Sequence, residues 1–404
     1  MMRRSIIQWL VMLLLGLALM PAAAQDNADE DIHPLLEMLG FVPLEIMAET
    51  SFFDLSYVDY RAFETALGIF RPAGTDLTTV AAGNWIQHSF RLAARPEFIQ
   101  YVFSQPDEML EAVGFTVFDI DRALMFGQPP GNGIVLAGEP DRLTDMDTLN
   151  RKFMERELKA REVDGGFTLW QHPDRDGLAI DLENRNPAYP FGGHLGRAEP
   201  VAMRPGYLLN SAAIDTVQAM IAADTAQTAS LADVPEFVAL VGAITQDGPL
   251  IQAHFFSPAD VGFIPGDPMA VIMGQDAPNV LADYGPLPVY SMSALGDTQD
   301  SDGNSVLLAA LVYADAEDAA SAADELAQRI ATLRLPVTNE ETVLEIFDAT
   351  VSVDVYESAD GLAVALARIS YPPPGDTSVI PGQMYSRWIR GVWTREFFIF
   401  MIPE

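Results

Sequence analysis

The stretch Arg122-Ala-Leu-Met-Phe-Gly-Gln-Pro-Pro-Gly-Asn-Gly-Ile-Val-Leu-Ala-Gly138 sets two short apolar runs around a loop of turn-forming residues. Each run is of strand length, and a Pro-Pro-Gly-Asn-Gly loop closes such runs into an antiparallel hairpin. Strands are therefore predicted over 122–127 and 134–138. A charged helix is predicted over 141–163, with Met146, Leu149, Phe153, Met154 and Leu158 inward and Thr144 and Asp147 spaced to cap its start. Strands follow at 167–171 and 207–210, then a helix at 212–222. Between the strands, residues 172–205 hold Pro173, Pro187, Pro190, Gly192, Gly193 and Gly196, so a long irregular excursion is expected there.

The same order returns in the second half. Strands are predicted at 289–295 and 305–313, joined by a polar loop over 296–304. A helix follows with Asp315 as N-cap, Glu317 and Asp318 in its first turn, and Leu326, Ile330 and Leu333 inward. Two more strands come at 350–356 and 362–369. From Leu35 to Ala112 the signals are mainly helical: Tyr60, Phe63 and Leu67 share a face, Gly68 stands where a C-cap belongs, and Pro96 and Asp107 open shorter helices, the second ending at Gly114. Pro96-Glu97-Phe98 is echoed by Pro235-Glu236-Phe237.

The expected fold is α+β: a helical N-terminal part followed by two duplicated, mostly antiparallel sheet-plus-helix units, with helices on one face of each sheet. The expected division is a signal peptide over 1–24, an acidic leader over 25–34, a first unit over 35–230 and a second over 231–404.

The signal peptide is read from Arg3 and Arg4, an apolar run from Ile6 to Met20, Pro21, and the small residues Ala22-Ala23-Ala24. The run is shorter than the roughly 20 residues of a spanning helix, and no later segment reaches that length. Cysteine is absent, which excludes disulfides, thiolate nucleophiles and lipidation of the processed terminus. The formal charge is −34, and Lys152 and Lys159 are the only lysines. Such a surface repels phosphate backbones and anionic headgroups, so nucleic acid is not expected as a partner. Acid-rich, lysine-poor surfaces suit a saline habitat or follow from genome composition.

No Gly-x-Ser-x-Gly, His-Glu-x-x-His or phosphate-loop motif occurs. His172 lies near Asp174 and Asp176, which as a set reads as a nitrogen–oxygen metal site or a solvated turn. His194 sits among Gly192, Gly193 and Gly196, either a ligand approach or a surface loop. His33 and His88 have no companions, and His254 is flanked by Ala253, Phe255 and Phe256, as in a packed strand. Asp300, Asp302 and Asn304, with Asp297 upstream and Gly303 at the turn, alternate like calcium ligands. Leu311 stands where the bidentate Glu of an EF-hand belongs, so a plain turn is expected. Tyr385, Trp388, Trp393, Phe397, Phe398 and Phe400 alternate with Arg387, Arg390 and Arg395, and read as a closing strand sealing the core or as a ligand surface.

No catalytic, cofactor-binding or metal residue is assigned, and no cofactor is expected. The expected function is that of an exported, soluble, non-enzymatic protein binding a protein partner or small ligand in the cell envelope or outside the cell. The alternative is an extracytoplasmic hydrolase with a site assembled from non-local residues. Mass spectrometry of exported material is expected to find Gln25 at the N-terminus; an intact Met1 in a membrane fraction would contradict release.

Overall fold

The expected hairpin forms, as β2 (Arg122–Phe126) and β3 (Gly133–Ala137). It is one element of a computed structural model that describes residues 32–49, 54–258, 285–334, 341–373, 382–393 and 399–400. The other strands are β1 (Leu55–Asp59), β4 (Lys159–Glu162), β5 (Thr168–Gln171), β6 (Val201–Arg204), β7 (Tyr207–Asn210), β8 (Gln252–Phe256), β9 (Ser293–Gln299), β10 (Ser305–Tyr313), β11 (Thr350–Glu357) and β12 (Ala363–Tyr371). Among the described residues all twelve join one antiparallel sheet, ordered β11-β12-β10-β9-β8-β1-β2-β3-β7-β6-β5-β4. The centre is the pair β1–β8, with Leu55 opposite Phe255. Counted outward from it, one wing runs β1-β2-β3-β7-β6 and then β5-β4, and the other runs β8-β9-β10-β12-β11.

The helices that cover the sheet are α1 (Pro34–Leu39), α2 (Tyr60–Leu67), α3 (Val80–Ser89), α4 (Pro106–Val113), α5 (Met146–Glu155), α6 (Ile214–Asp224), α7 (Pro235–Ile244), α8 (Ala316–Thr332) and α9 (Gln383–Trp393). Their ends follow local chemistry. Gly68 and Gly114 close α2 and α4 in the left-handed conformation. The Asp315 carboxylate accepts the Glu317 and Asp318 amides at the start of α8.

Helices stand on both faces of the sheet, which corrects the one-face expectation. On one face α1, α6 and α7 pack over Leu55, Tyr57, Leu124, Leu308 and Leu366. On the other, α2 to α5 cover the first wing, and α8 and α9 cover the second. The reason is visible in β10, Ser-Val-Leu-Leu-Ala-Ala-Leu-Val-Tyr, which is buried at every position. A strand apolar on both faces needs cover on both.

Three further expectations change. The N-terminal part is not purely helical, because Leu-Ser-Tyr-Val-Asp forms the buried central strand β1. The helix expected over 141–163 ends at Glu155. Glu157 then takes a positive φ of 62°, and Lys159–Glu162 turns back as the exposed edge strand β4. Thr144 does not cap that helix; its hydroxyl accepts the Gly206 amide and donates to the Pro140 carbonyl. The first part of the aromatic segment near the C-terminus, Gln383–Trp393, is the helix α9 and not a strand. Tyr385, Trp388, Ile389 and Val392 recur at helical spacing and are buried, while Arg387 and Arg390 are exposed.

On the face shared by α2 to α5, α8 and α9, the two apolar clusters meet at a polar seam. Arg91, just after α3, is fully buried, and so is Asp297 on β9. Arg91 Nε donates to one oxygen of Asp297 at 2.9 Å and Nη2 to the other at 2.6 Å. Gln252 on β8 donates to the same carboxylate at 2.9 Å, while its carbonyl accepts the amides of Ala93 and Ala94. Removing one member of a buried bidentate pair strands the other charge in a dry interior. Asp297→Ala is therefore expected to cost about 3–5 kcal/mol, read as a lower urea midpoint. A loss below about 1 kcal/mol would show the seam to be dispensable.

Candidate functional site

The expected excursion forms between β5 and β6. It is tied by its own polar groups. Arg175 donates to the Gly196 carbonyl at 2.6 Å and to Asp181 at 3.1 Å, and Arg185 donates to the His194 carbonyl at 2.7 Å. Its aromatic residues anchor it to the sheet. Tyr189 and Phe191 are buried, and Phe191 meets Phe153 of α5 in an edge contact with ring centroids 6.1 Å apart. His194 stacks on Tyr101 at 4.7 Å.

Under the turn that follows Phe191 lies Glu199, 8% exposed. The Arg197 guanidinium stands 3.6 Å from its carboxylate. Gly192 takes a positive φ of 73°, and a Cβ there would stand 2.6 Å from the carboxyl, so glycine is what lets the backbone pass over it. Burial pushes the Glu199 carboxyl up to about 7, against the opposing pull of Arg197 and a hydrogen bond with Asn210. Glu97 adds a like charge that raises it further. The neighbouring His194 is held below the ordinary histidine range, first by burial.

Beside this turn, Asn186 faces α4 and α5 across a cleft of 610 Å³. Glu108 and Glu111 of α4 form one wall, and Lys152, Glu155 and Arg156, on and just after α5, form the other. Both cations are engaged: the Arg156 guanidinium lies 3.8 Å over the Tyr189 ring, and Lys152 Nζ is 3.7 Å from Glu155. Glu108 and Glu111 make no ion pair among the described residues. A volume of this size admits a small molecule, and the walls are polar and solvated, with acids in excess.

The other residues singled out in the sequence do not converge on the cleft. His172 Nδ1 accepts the Asp174 amide at 3.1 Å, and Asp176 accepts the Leu178 amide at 3.0 Å, so these side chains brace a turn. His33 accepts the Leu35 amide at the start of α1, and His88 ring nitrogen Nδ1 lies 2.8 Å from the Asn84 carbonyl. His254 is buried on β8, with Nδ1 2.9 Å from the Tyr385 hydroxyl, and burial pulls it down to about 3. Asp300 accepts the Asp302 and Asn304 amides at the tip of the β9–β10 turn. Asp297 does not belong to that turn; it is the buried partner of Arg91. Among the described residues no group of three His, Asp or Glu is placed to hold a metal ion. Trp393 lies in α9, while Arg395, Phe397 and Phe398 fall outside the described residues; Phe400 is buried.

Glu199 and Arg156 were not found by sequence reasoning. Glu199 sits in Arg197-Ala-Glu-Pro, one acid among 57, and nothing local marks it as buried. No protein-family model matches the chain, and neither a curated protein nor a solved structure matches it.

The Glu199 carboxyl is raised above its usual 4.5, so the folded chain holds a proton that the unfolded chain has released. Its contribution to stability is complete below about pH 4.5 and is lost as pH rises through about 7. Glu199→Gln, which imitates the protonated form, is expected to stabilise the protein by roughly 1–3 kcal/mol at pH 8 and little at pH 4.5. Urea midpoints at the two pH values check this; equal effects at both would place the carboxylate in water.

Proposed function

We propose that this is an exported binding protein that takes a small cationic or neutral polar ligand in the cleft between α4, α5 and the 172–200 excursion. The observation that carries the reading is the cleft itself. Two acids without ion partners, Glu108 and Glu111, face cations already engaged by Tyr189 and Glu155. The site thus offers acceptors and negative potential without a poised nucleophile beside a base. Among the described residues no helix is long and apolar enough to cross a membrane, which is compatible with release after cleavage near Ala24. The chain is read as two copies of one α+β unit, over 35–230 and 231–404. The support is that both wings run first, second, third, last and next-to-last strand outward from the centre. A helix follows the third strand in each, α5 in one and α8 in the other.

The alternative, a hydrolase, draws on Glu199, a buried carboxyl at about 7 that would suit proton transfer. Deleting the excursion would not separate the two readings. Tyr189 and Phe191 belong to the core and Val201–Arg204 is β6, so the fold would go with it.

Point substitutions are the test. Calorimetry with spermidine is expected to show saturable binding that weakens about tenfold in Glu108→Gln/Glu111→Gln. It should be retained in Asp215→Asn/Asp324→Asn, which removes two acids elsewhere. Equal losses in both pairs would reduce the effect to overall charge. Turnover of an ester, peptide or glycoside, lost in Glu199→Gln, would replace binding by catalysis.

A further inference from the structure

The sheet has two ends, and they are finished differently. At the β4 end the strand is four residues long, Lys-Ala-Arg-Glu, exposed throughout and charged at three positions. Short, charged edges of that kind resist pairing with other chains. At the other end stands β11, eight residues of Thr-Val-Ser-Val-Asp-Val-Tyr-Glu, paired to β12 along its length. Among the described residues nothing pairs with its outer side, and it contains no proline, no lysine and no arginine.

The backbone shows which groups that side offers. The Val355 amide is held by its neighbour, Asp354 Oδ1, at 2.8 Å. A ladder amide would be held by β12, so Val351, Val353 and Val355 turn their N–H and C=O groups to the open side. Their side chains are half-buried against the apolar cluster under α8. The rail is therefore extended, held to β12 along its length, and supplied with donors and acceptors in the spacing of a missing strand. The other wing supplies an internal precedent. Counted from the centre, β6 holds the fifth place that β11 holds here, and β6 carries a further antiparallel strand, β5, on its outer side.

Charge selects the occupant. Between Glu341 and Ala367 the chain has six Asp or Glu and no Lys or Arg; the adjoining strand β12 contributes Arg368, which pairs with Asp247 and lies 3.9 Å from Asp354, and the strip stays net acidic. A second copy would set this acidic strand against itself, whereas a basic strand would be attracted to it. We propose that the outer edge of β11 is a docking site for an extended basic segment of a partner protein, which adds to the sheet as an antiparallel strand. Apolar residues of that segment alternate with Lys or Arg, and a basic residue near Asp354 draws its carboxylate off the Val355 amide.

The probe is a peptide of the pattern Thr-Val-Arg-Val-Lys-Val-Thr, added to the purified protein. Fluorescence anisotropy is expected to show saturable binding. Hydrogen exchange is expected to show new protection confined to Thr350–Glu357. Asp354→Lys/Glu357→Lys should weaken binding about tenfold and favour a peptide with Glu in place of Arg and Lys. Val353→Pro removes an outward N–H while leaving the β12 ladder its bonds, and should abolish binding with an unchanged circular dichroism spectrum. A peptide N-methylated on alternate residues is the control that keeps charge and loses the ladder. Equal affinity for that control would overturn strand addition, as would protection away from β11. No binding of the parent peptide would overturn the site. Concentration-dependent dimerisation that protects β11 without peptide would assign the edge to a second copy instead.

Discussion

Across the β1–β8 junction, on the face of α3 and α9, the two wings are tied by the pairing of Arg91 with Asp297. The guanidinium belongs to a loop after α3 in the first wing, and the carboxylate to β9 in the second. Gln252 Nε2 donates to the Asp297 carboxylate and to the Arg91 main-chain carbonyl, and the Ser386 hydroxyl, on α9, donates to the same carbonyl at 3.0 Å. Gly382, with φ 78°, lies so close to the guanidinium that any side chain there would strike it. Four separate segments are thereby fixed by one charge pair. The pair stands where the sheet changes from one apolar cluster to the other, so the clusters can remain distinct while the sheet stays continuous. An apolar seam of the same shape would be at least as stable, but it would specify the meeting of these segments less sharply.

The rest of the architecture follows from a sheet that is apolar on both faces. Each wing needs a helix layer above and below, and the chain provides these in its crossovers: α5 and α8 on the seam side, α6 and α7 on the other. The first wing receives more cover because four helices precede and follow its hairpin. Function, as proposed, sits between α4, α5 and the excursion, and at the outer edge of β11. The strong negative charge has little to do with the fold; it governs which partners approach these two places.

Much of this was legible in the residues. The hairpin at 122–138, the helix opened by Asp315, the left-handed Gly68 and Gly114 and the strands at 350–357 and 363–371 follow from patterns a few residues long. What was not legible is long-range. Leu55–Asp59 reads as a prelude to the helix beginning at Tyr60, and only its pairing with β8 and β2 makes it the centre of the sheet. Lys159–Glu162 reads as the end of a helix, since a charged edge strand carries no apolar alternation. Asp297 reads as a loop residue because the partner that permits its burial is 206 residues away. Glu199 is the same problem at the site: its environment is made by Gly192, Arg197 and Asn210, and no spacing in the sequence announces that.

The central pair β1–β8 has a consequence for how the chain comes into being. The protein is synthesised from its N-terminus, and β1 must wait for nearly two hundred residues before β8 can join it. During that interval the first wing exposes an open inner edge, and Arg91 lacks the counter-charge and the segments that later enclose it. Contacts of such sequence separation close slowly, and a bare edge is then a template for the wrong neighbour. Without cysteine, no covalent cross-link can hold an early arrangement in place. The first wing is therefore not a finished body waiting for an addition. Its inner edge is completed only when the second wing delivers β8 and Asp297 together, so the pairing that closes the centre of the sheet is also the one with the greatest wait along the chain.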